Sequence, residues 1–379
     1  MRILFLSHYG AMLGANRSLL SLIQGLKERG VEVMAWCPKE GPYAKALRDQ
    51  DIPMRVLGYQ NSADTFLFPG YWLLPYRYVK NKAIFSQLVA EAKGFQPDII
   101  HTNSSVLSMG AYLSEALGVP HVWHIRELVH LHYNMRFFPG IGHFYKWLDK
   151  AAAAIVISEA VRHEIVGDRN IPNKLIFNGV LSSAQLEANQ PETVEKRKDT
   201  FTFLLIGMLH PKKNQLVALQ AFQQLAEAFP KARLLIVGSG RKHYEQQLRS
   251  YSKQQNLDSQ VEFAGYLPDP KASFERSDVV LMCSENEAMG RVTVEAMAYR
   301  KPVIGLVSGA TPELIDHGID GFLYSNGAVD LAQQMRYCLE NPEEIEAMGA
   351  KGFEKAKNRF TIDKYVDNMY QVFNEIMES

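Results

Sequence analysis

The sequence predicts an α/β protein built from two doubly wound domains. Short apolar runs of strand length alternate with segments of helical periodicity along almost all of the 379 residues. Such alternation is typical of parallel sheets that are covered by helices on both faces. The alternation stops once, in a polar segment at 182–200, and then starts again. Because one domain usually takes about 100–200 residues, the length also favours two domains over one.

The individual elements follow from the positions of the apolar residues. In the first half, apolar runs predict strands at 3–6, 31–35, 99–102, 122–124 and 154–157. The spacing of Leu19, Leu22, Ile23 and Leu26 predicts a helix over 18–28, since these residues fall on one face. In the second half, the same reasoning predicts strands at 201–206, 234–237, 279–282 and 302–304. Helical periodicity over 362–376 predicts a final helix.

The polar segment at 182–200 holds almost no large apolar residue, which is typical of a solvated connection. It sets a first domain at 1–180 and a second at 181–358, followed by the helical segment 359–379. In open parallel sheets, ligands bind at the carboxyl ends of the strands. The loops that follow strands are therefore where functional residues are expected.

Composition limits the class of protein. Lys plus Arg and Asp plus Glu both total 41, so the formal net charge is zero, which argues against nucleic acid as a partner. The three cysteines are far apart, without metal-ligand spacing, and favour a reducing, cytoplasmic location without disulfides. No stretch approaches the roughly 18 apolar residues that a membrane-spanning helix needs. We expect a cytoplasmic protein that meets a membrane, if at all, from its inner face.

The most informative segment follows the strand at 279–282. Glu287 lies in the loop after this strand, Gly290 and Arg291 open a helix, and Glu295 lies just over one turn inside it. A helix N-terminus beside a glycine offers free N–H groups to a phosphate. The two carboxylates lie on either side of that position, which suits one for a sugar and one for ribose hydroxyls. For an isolated pair of glutamates, an amphipathic surface helix would be the favoured interpretation.

Two further loops follow strands of the second half. Gly207 ends the strand at 201–206, and Lys213 follows six residues later. A cation there could bind a phosphate, although a lone lysine is more simply a solvated side chain. Gly238 opens a Gly-Ser-Gly loop after the next strand, which is weak evidence by itself because many nucleotide folds contain it.

In the first half, glycines after the first strand, including Gly14, allow a ligand to approach the backbone closely. The strand at 122–124 ends in His124, which predicts a hydrogen bond to a sugar or an acceptor; a histidine paired within the core is the alternative. Arg126 and Glu127 follow it, and either pair with each other or bind the acceptor. His101 and Asn103, at the end of another strand, are weaker acceptor-binding candidates.

Two stretches, 66–80 and 130–150, are rich in aromatic and basic residues. Contact with a membrane interface uses this mixture, and so does a groove for a lipid-linked acceptor. Internal packing, with a loop that covers the acceptor site, explains the same composition. The sequence leaves these interpretations about even.

The segment from Glu287 onwards resembles the Glu-seven-residues-Glu motif of glycosyltransferase family four, a retaining family of the GT-B fold. The match continues in register through Glu295-Ala296-Met297-Ala298, Lys301-Pro302-Val303-Ile304 and Ser308-Gly309-Ala310-Thr311-Pro312-Glu313-Leu314-Ile315, then Gly318 and Gly321. Further matches are Gly207-Met208-Leu209 with Lys213, Ile236-Val237-Gly238-Ser239-Gly240, and Asn178-Gly179-Val180.

The resemblance implies a GT-B fold in which two Rossmann-like domains face each other across a cleft, and the final helix crosses back to the first domain. It implies that Glu287 contacts the donor sugar near its reacting carbon and that Glu295 binds the ribose. Gly290, Arg291 and Val292 would lie along the diphosphate, and Lys213 would offset the charge that builds on the diphosphate as it leaves. By the same resemblance, the glycine-rich loop with Gly14 reaches towards the donor phosphate, and His124 contacts the sugar or the acceptor.

The resemblance also implies the reaction: transfer of a sugar from a nucleotide-sugar to an acceptor hydroxyl, with retention at the anomeric carbon. The acceptor would be a glycan or a lipid-linked precursor. No Asp-x-Asp motif lies where a donor metal would bind, so we expect neither a metal nor another cofactor. Met208 stands where the family usually has arginine, which removes one charge unless Lys212, Arg241 or Arg291 compensates. Another GT-B enzyme, an epimerase or phosphorylase, or a non-catalytic nucleotide-sugar-binding protein, is the alternative.

Overall fold

The structure is a computed structural model that describes residues 1–66, 69–129, 134–188 and 200–378. Its contacts divide the chain into two compact units. The first unit contains Met1–Gly179 and Ile362–Ser379, and the second contains Val180–Thr361. Each unit has its own parallel sheet and its own apolar cores.

The first unit is built on seven parallel strands in the order β3-β2-β1-β5-β6-β8-β9, with a small antiparallel pair, β4 and β7, beside them. The strands are β1 Arg2–Ser7, β2 Glu32–Cys37, β3 Met54–Val56, β4 Ala63–Thr65, β5 Ile99–Asn103, β6 His121–Ile125, β7 Met135–Phe137, β8 Ala153–Val156 and β9 Asn173–Leu175. The central strands β1, β5 and β6 are almost wholly buried because helices cover both faces of the sheet.

Among the described residues of the first unit, the helices that connect these strands are α1 Gly14–Glu28, α2 Pro42–Asp49, α3 Leu74–Phe95, α4 Met109–Leu117, α5 Ile141–Leu148 and the short α6 Glu159–Val161. A 3₁₀ turn at Tyr71–Leu73 precedes α3, and a π-helical turn at Arg162–Val166 follows α6. Helix α1 begins at Gly14 rather than at the predicted residue 18, and Asn16 and Ser18 are buried in its first turns. Its apolar face, Leu19, Leu22, Ile23 and Leu26, is buried as predicted.

The second unit has six parallel strands in the order β12-β11-β10-β13-β14-β15. They are β10 Phe201–Ile206, β11 Ala232–Val237, β12 Val261–Gly265, β13 Val279–Met282, β14 Val303–Leu306 and β15 Gly321–Tyr324. Its helices are α7 Ser183–Ala188, α8 Gln215–Ala226, α9 Lys242–Gln254, α10 Lys271–Arg276, α11 Arg291–Ala298, α12 Thr311–Leu314, α13 Gly327–Glu340 and α14 Pro342–Arg359, and a 3₁₀ turn lies at Pro211–Lys213.

The final helix, α15 Ile362–Glu378, belongs to the first unit. Its apolar face, consisting of Tyr365, Val366, Met369, Val372 and Phe373, is buried in the core that includes α1 and β1. The ring of Phe373 lies edge-on to Phe5, with centroids 6.4 Å apart. The prediction that the final helix returns to the first domain is confirmed.

The polar segment at 182–200, predicted as a solvated connection, is mostly exposed where it is described but contains a short helix. Its first part forms helix α7, in which Leu186 is buried against Ala298 and Phe353. One apolar side chain with a partner is enough to fold the segment back onto the second unit, although the surrounding residues are polar. Residues 189–199 lie outside the described residues.

Cys37, Cys283 and Cys338 are free thiols, and burial raises the pKa of each to about 12. In the part of the chain that the structure describes, no helix is both long enough and apolar enough to cross a membrane.

Candidate active site

The candidate site of the second unit lies where the order of the strands reverses. Strands β10 and β13 are neighbours, but the chain leaves β10 towards β11 on one side and leaves β13 towards β14 on the other. At such a switch point the two following loops part and leave a crevice at the carboxyl ends of the strands. Lys213 follows β10 and Glu287 follows β13, so the topology brings these two predicted residues to one place.

The loop that carries Lys213 is tied to the loop after β13. The Asn214 side-chain amide donates to the Cys283 carbonyl at 3.0 Å, and the Glu285 amide donates to the Lys212 carbonyl at 2.9 Å. Asn214 has φ of 52°, a left-handed conformation that asparagine tolerates well. These bonds fix Lys213, at the end of the 3₁₀ turn, beside the residues that follow β13.

Lys213 Nζ and Glu287 Oε1 form an ion pair, with side chains 25% and 17% exposed. The backbone of Glu287 is held from the other side by the loop after β14, since the Ala310 amide donates to the Glu287 carbonyl at 2.8 Å. Gly309 in that loop has φ of 56°, and a Cβ there would lie 2.4 Å from the Glu287 carbonyl oxygen. Only glycine permits this close approach of the two loops.

Helix α11 begins directly after this loop with its N-terminus uncapped by a side chain. Gly290 is the N-cap residue with φ of 76°, and, as a glycine, it provides no side-chain cap. The helix dipole makes this N-terminus a favourable place for an anion. Glu295 pairs with Arg291 at 3.4 Å, and both side chains are partly exposed at the surface of the helix.

The remaining predicted glycines of the second unit lie at the ends of β10 and β11. Gly207 has φ of 150° and Gly238 has φ of 141°. A Cβ at Gly238 would lie 1.8 Å from the Gly207 carbonyl oxygen, so the two loops touch through their backbones. Glycine is needed at Gly238 for this contact.

Gly14, in the first unit, is exposed and is the first residue of α1, which follows the loop after β1. Strands β1 and β5 form the switch point of this sheet, in the same way as β10 and β13. Asn16 holds the loop closed by donating to the carbonyls of Tyr9 and Ala11 at 2.8 and 2.9 Å. The predicted contact of Gly14 with a donor phosphate remains a prediction.

The acceptor-binding candidates predicted around β5 and β6 are buried. His101 lies inside β5 rather than at its end, and His101, Asn103 and His124 have no exposed surface. His101 Nε2 lies 3.2 Å from His124 Nδ1, and His101 also packs edge-on against Phe373 of α15. Burial lowers the pKa of both histidines well below the usual value, and the charge of Arg126 lowers each further. The contact predicted between His124 and the sugar or the acceptor stays a prediction.

Arg126 is also buried, and it does not form the predicted side-chain pair with Glu127. Its guanidinium donates to the side-chain oxygens of Asn103 and Asn178, and to Tyr365 Oη at 2.8 Å. Asn178 lies next to Gly179, the last residue of the first segment of this unit, and Tyr365 lies near the start of the second segment, α15. Arg126 therefore anchors both ends at which the chain leaves and re-enters the first unit.

Glu127 instead fixes the loop after β5. Its Oε2 accepts from the Ser105 hydroxyl at 2.9 Å and from the Ser105 amide at 3.2 Å. This side chain is nearly buried, so an internal role explains it without an acceptor.

The two aromatic and basic stretches behave differently. In the stretch 130–150, Phe137 and Phe144 are buried with ring centroids 4.7 Å apart, and the ring of Trp147 packs against that of Tyr112, with centroids 4.9 Å apart. Internal packing therefore accounts for most of this stretch, while residues 130–133 lie outside the described part. In the stretch 66–80, the side chains of Trp72, Tyr76 and Val79 are 63%, 66% and 64% exposed. Residues 67 and 68 of that stretch are not described.

These three residues, which we call the exposed stripe, lie along the 3₁₀ turn and the first turns of α3. Lys80 and Lys82 fall on either side of it, at the 3.6-residue period of the helix. The sequence contains no Asp or Glu between Asp64 and Glu91. Asp64 itself is neutralised by Arg77 at 2.7 Å. The surface is therefore apolar with a purely basic border along this segment.

Some residues that build the site were not predicted individually. Asn214, Ser308 and Gly309 position Lys213 and Glu287, and the Ser308 hydroxyl accepts from the Asn286 amide at 2.9 Å. The glycine could have been inferred from its place in a loop after a strand. Within the described ranges, no group of three or more His, Cys, Asp or Glu side chains is placed to hold a metal ion. The expected metal independence stays a prediction.

Comparison with known proteins defines the class. Residues 13–181 match the family profile described as Glycosyltransferase Family 4, and residues 187–355 match Glycosyl transferases group 1. The fold matches the Anabaena protein HepE, solved with UDP, with a TM-score of 0.84, 22% identity and coverage of 99% of this chain and 100% of HepE. The chain is a glycosyltransferase with the GT-B fold, and this fold class confirms the prediction.

Similar sequences agree with this class. The sulfoquinovosyl transferase of Arabidopsis thaliana is 24% identical over 378 residues, covering 93% of this chain and 68% of that protein. The human alpha-1,3/1,6-mannosyltransferase is 28% identical over 191 residues, covering 47% of this chain and 46% of that protein. The chain belongs to glycosyltransferase family four.

Proposed function

We propose that this protein transfers a hexose from a uridine diphosphate hexose to an acceptor hydroxyl, with retention of the anomeric configuration. The observation that carries the proposal is the convergence of Lys213, Glu287 and the N-terminus of α11 at the switch point of the second sheet. Uridine is proposed because HepE, which shares the fold, has been solved with UDP and with UDP-glucose.

Each part of the site has a chemical task in this proposal. The diphosphate lies against the N–H groups of Arg291 and Val292, where the helix dipole favours negative charge. Glu295, just over one turn further along α11, accepts from the ribose hydroxyls. Glu287 accepts from hydroxyls of the sugar, and Lys213 neutralises the diphosphate as it leaves.

The transfer step breaks the bond between the anomeric carbon and the diphosphate oxygen. The acceptor oxygen bonds to the same face of that carbon, and the acceptor proton passes to an oxygen of the leaving diphosphate. The products are a glycoside and UDP. In this scheme the donor supplies the base, so Glu287 needs only to orient the sugar and to stabilise positive charge on it.

A prediction for Glu295 tests the donor site. Glu295→Ala should weaken UDP binding by about tenfold or more, because a hydrogen bond to a charged group is worth about 1.5–3 kcal/mol. Isothermal titration with UDP measures this effect, and Glu354→Ala, on an exposed position of α14, is the matched control. Unchanged UDP affinity in a folded Glu295→Ala protein would remove the ribose assignment.

The alternative functions are separated by product analysis. A transferase releases UDP only as fast as it glycosylates an acceptor or water, whereas an epimerase converts the nucleotide-sugar without any acceptor. A phosphorylase would require inorganic phosphate. A non-catalytic binding protein would bind UDP but leave the UDP-hexose intact with every acceptor tested.

A further part of the proposal concerns the membrane. We propose that the exposed stripe docks on an anionic membrane, where the enzyme meets a lipid-linked acceptor. Trp72 and Tyr76 suit the interface, where amphipathic rings are favoured, and Lys80 and Lys82 suit anionic headgroups. Arg136 adds to this border, since its guanidinium lies 5.8 Å from the ring of Phe66, which is also exposed.

The membrane prediction is tested by co-sedimentation with vesicles. The protein should bind phosphatidylglycerol vesicles, and added salt should weaken the binding because screening reduces the attraction of the lysines. The double variant Trp72→Ser and Tyr76→Ser should bind about tenfold more weakly or worse, since burying a large apolar side chain is worth about 1.5–3 kcal/mol. Tyr266→Ser, which removes an equally exposed aromatic from the second unit, is the control. Equal binding by all three proteins would refute this docking surface.

A further inference from the structure

Met208 is an exposed apolar side chain at the candidate diphosphate site. It follows Gly207 at the end of β10, where the family resemblance implied an arginine, and it is 60% exposed. An exposed methionine gives the protein no core packing, so the substitution is not explained by stability. If the diphosphate site needs a positive charge beside position 208, another element of the structure must supply it.

The loops after β10 and β11 are joined backbone to backbone. The Gly207 amide donates to the Val237 carbonyl and the Leu209 amide donates to the Ser239 carbonyl, each at 2.9 Å. Leu209 and Gly240 form a parallel bridge, and a Cβ at Gly240 would lie 2.0 Å from the Leu209 carbonyl oxygen. The two chains thus continue the pairing of the sheet beyond the ends of its strands.

This pairing determines the side on which the next residues lie. Leu209 is buried, so its neighbours Met208 and His210 point to the opposite side, because successive side chains alternate in an extended chain. His210 follows Leu209 and Arg241 follows Gly240, so His210 and Arg241 lie opposite each other in this pairing. Arg241 therefore lies on the same side of the pair as His210 and Met208. Neighbouring strands are about 4.8 Å apart, a distance that an arginine side chain readily spans.

The charge of Arg241 acts at this position. The pKa of His210 is lowered, first by burial and then by the positive charges of Lys212, Arg241 and Lys213. Within residues 200–378, which the structure describes, the Arg241 side chain is exposed and makes no ion pair, whereas Lys213 is paired with Glu287 and Arg291 with Glu295. Arg241 is therefore a positive charge without an internal counter-ion.

We infer that Arg241 binds the diphosphate of the donor and supplies the charge that is lost with methionine at 208. The inference rests on the proposed donor site and specifies how that site is completed. A diphosphate carries more negative charge than Lys213 can offset, and a guanidinium can bind two phosphate oxygens at once. In this inference the positive charge lies in the loop after β11, on Arg241, and not at position 208 in the loop after β10.

The test uses Arg241→Gln, Met208→Arg and the double variant of the full chain. Arg241→Gln should weaken UDP binding by about tenfold to a hundredfold, the range for losing a charge-assisted hydrogen bond. It should leave uridine binding unchanged, since the nucleoside lacks the diphosphate. Adding Met208→Arg to Arg241→Gln should restore UDP affinity to within a few-fold of the unmodified protein. Lys242→Gln, at the next and equally exposed position, is the control and should change neither affinity.

Two outcomes would overturn the inference. One is that Arg241→Gln binds UDP normally while Lys213→Ala and Glu295→Ala bind it weakly, in which case the donor site is right but Arg241 is not part of it. The other is that the double variant binds UDP as weakly as Arg241→Gln, so that an arginine at 208 cannot replace Arg241. If Lys213→Ala, Glu295→Ala and Arg241→Gln all bind UDP normally, the proposed donor site fails as a whole.

Discussion

Replacing Lys213 with alanine is expected to lower turnover of the nucleotide-sugar by about a hundredfold. Loss of one preorganised group that stabilises developing charge costs on the order of 10²–10³ in rate. Here the charge develops on the leaving diphosphate, and the bonds from Asn214 and Glu285 already hold the lysine loop in place. Release of UDP from UDP-hexose, followed at saturating donor, measures the effect.

Two controls make this prediction specific. Lys213→Arg keeps the charge and should retain most of the turnover, whereas Lys351→Ala removes an exposed lysine of α14 and should change nothing. Because the Lys213–Glu287 pair is partly exposed, its loss should not unfold the second unit. Normal turnover in a folded Lys213→Ala protein would show that another group stabilises the leaving diphosphate.

Glu287→Gln tests the other residue of the Lys213–Glu287 ion pair. In the free protein, Glu287 neutralises Lys213, so glutamine should leave more positive charge available to the diphosphate. UDP affinity should then stay equal or rise, while turnover falls by about tenfold or more, because Glu287 acts on the sugar during transfer and not on the nucleotide. A parallel loss of UDP affinity and turnover would place Glu287 at the nucleotide instead.

The sequence predicted the fold class because long buried strands give a strong signal. The predicted limits of β10 and β13 agree with the structure at both ends, and these are the two strands on which the donor site depends. Strands β3, β4, β7, β9, β12 and β15 were not predicted; each lies at an edge of its sheet or outside the main sheets, and the first four have only three residues. Three residues are too few for periodicity to separate a strand from a loop.

The arrangement around His124 could not be predicted for a different reason. We expected side chains near the carboxyl end of β6 to face a ligand, since the rule for parallel sheets concerns that end. The face of the sheet that carries His101 and His124 is instead covered by α15, through Tyr365 and Phe373. The hydrogen bond between Arg126 and Tyr365 joins residues 239 positions apart, and no local pattern reveals such a partner.

Removing α15 is expected to have the largest effect on the protein. A chain that ends at Thr361 would expose the core surface that covers Tyr365, Val366, Met369, Val372 and Phe373. Burial of each such side chain is worth about 1.5–3 kcal/mol, so the total, on the order of 10 kcal/mol, equals the net stability of a typical domain. The first unit should therefore unfold or aggregate, and transferase activity should be lost. UDP binding should persist more than activity, because the proposed donor residues belong to the second unit.

Gly25→Ala tests the same contact without truncation. A Cβ at Gly25, in the middle of α1, would lie 2.7 Å from Val366 Cγ2 of α15, so one helix must shift. Overpacking of this kind costs about 1–3 kcal/mol, which corresponds to a fall of about 2–10 °C in the melting temperature of the first unit. Gly94→Ala, near the end of α3, adds the same methyl group with nothing within 4 Å and should leave the melting temperature unchanged or raise it. If the chain ending at Thr361 is soluble and fully active, and Gly25→Ala melts like Gly94→Ala, then α15 does not hold the first unit together.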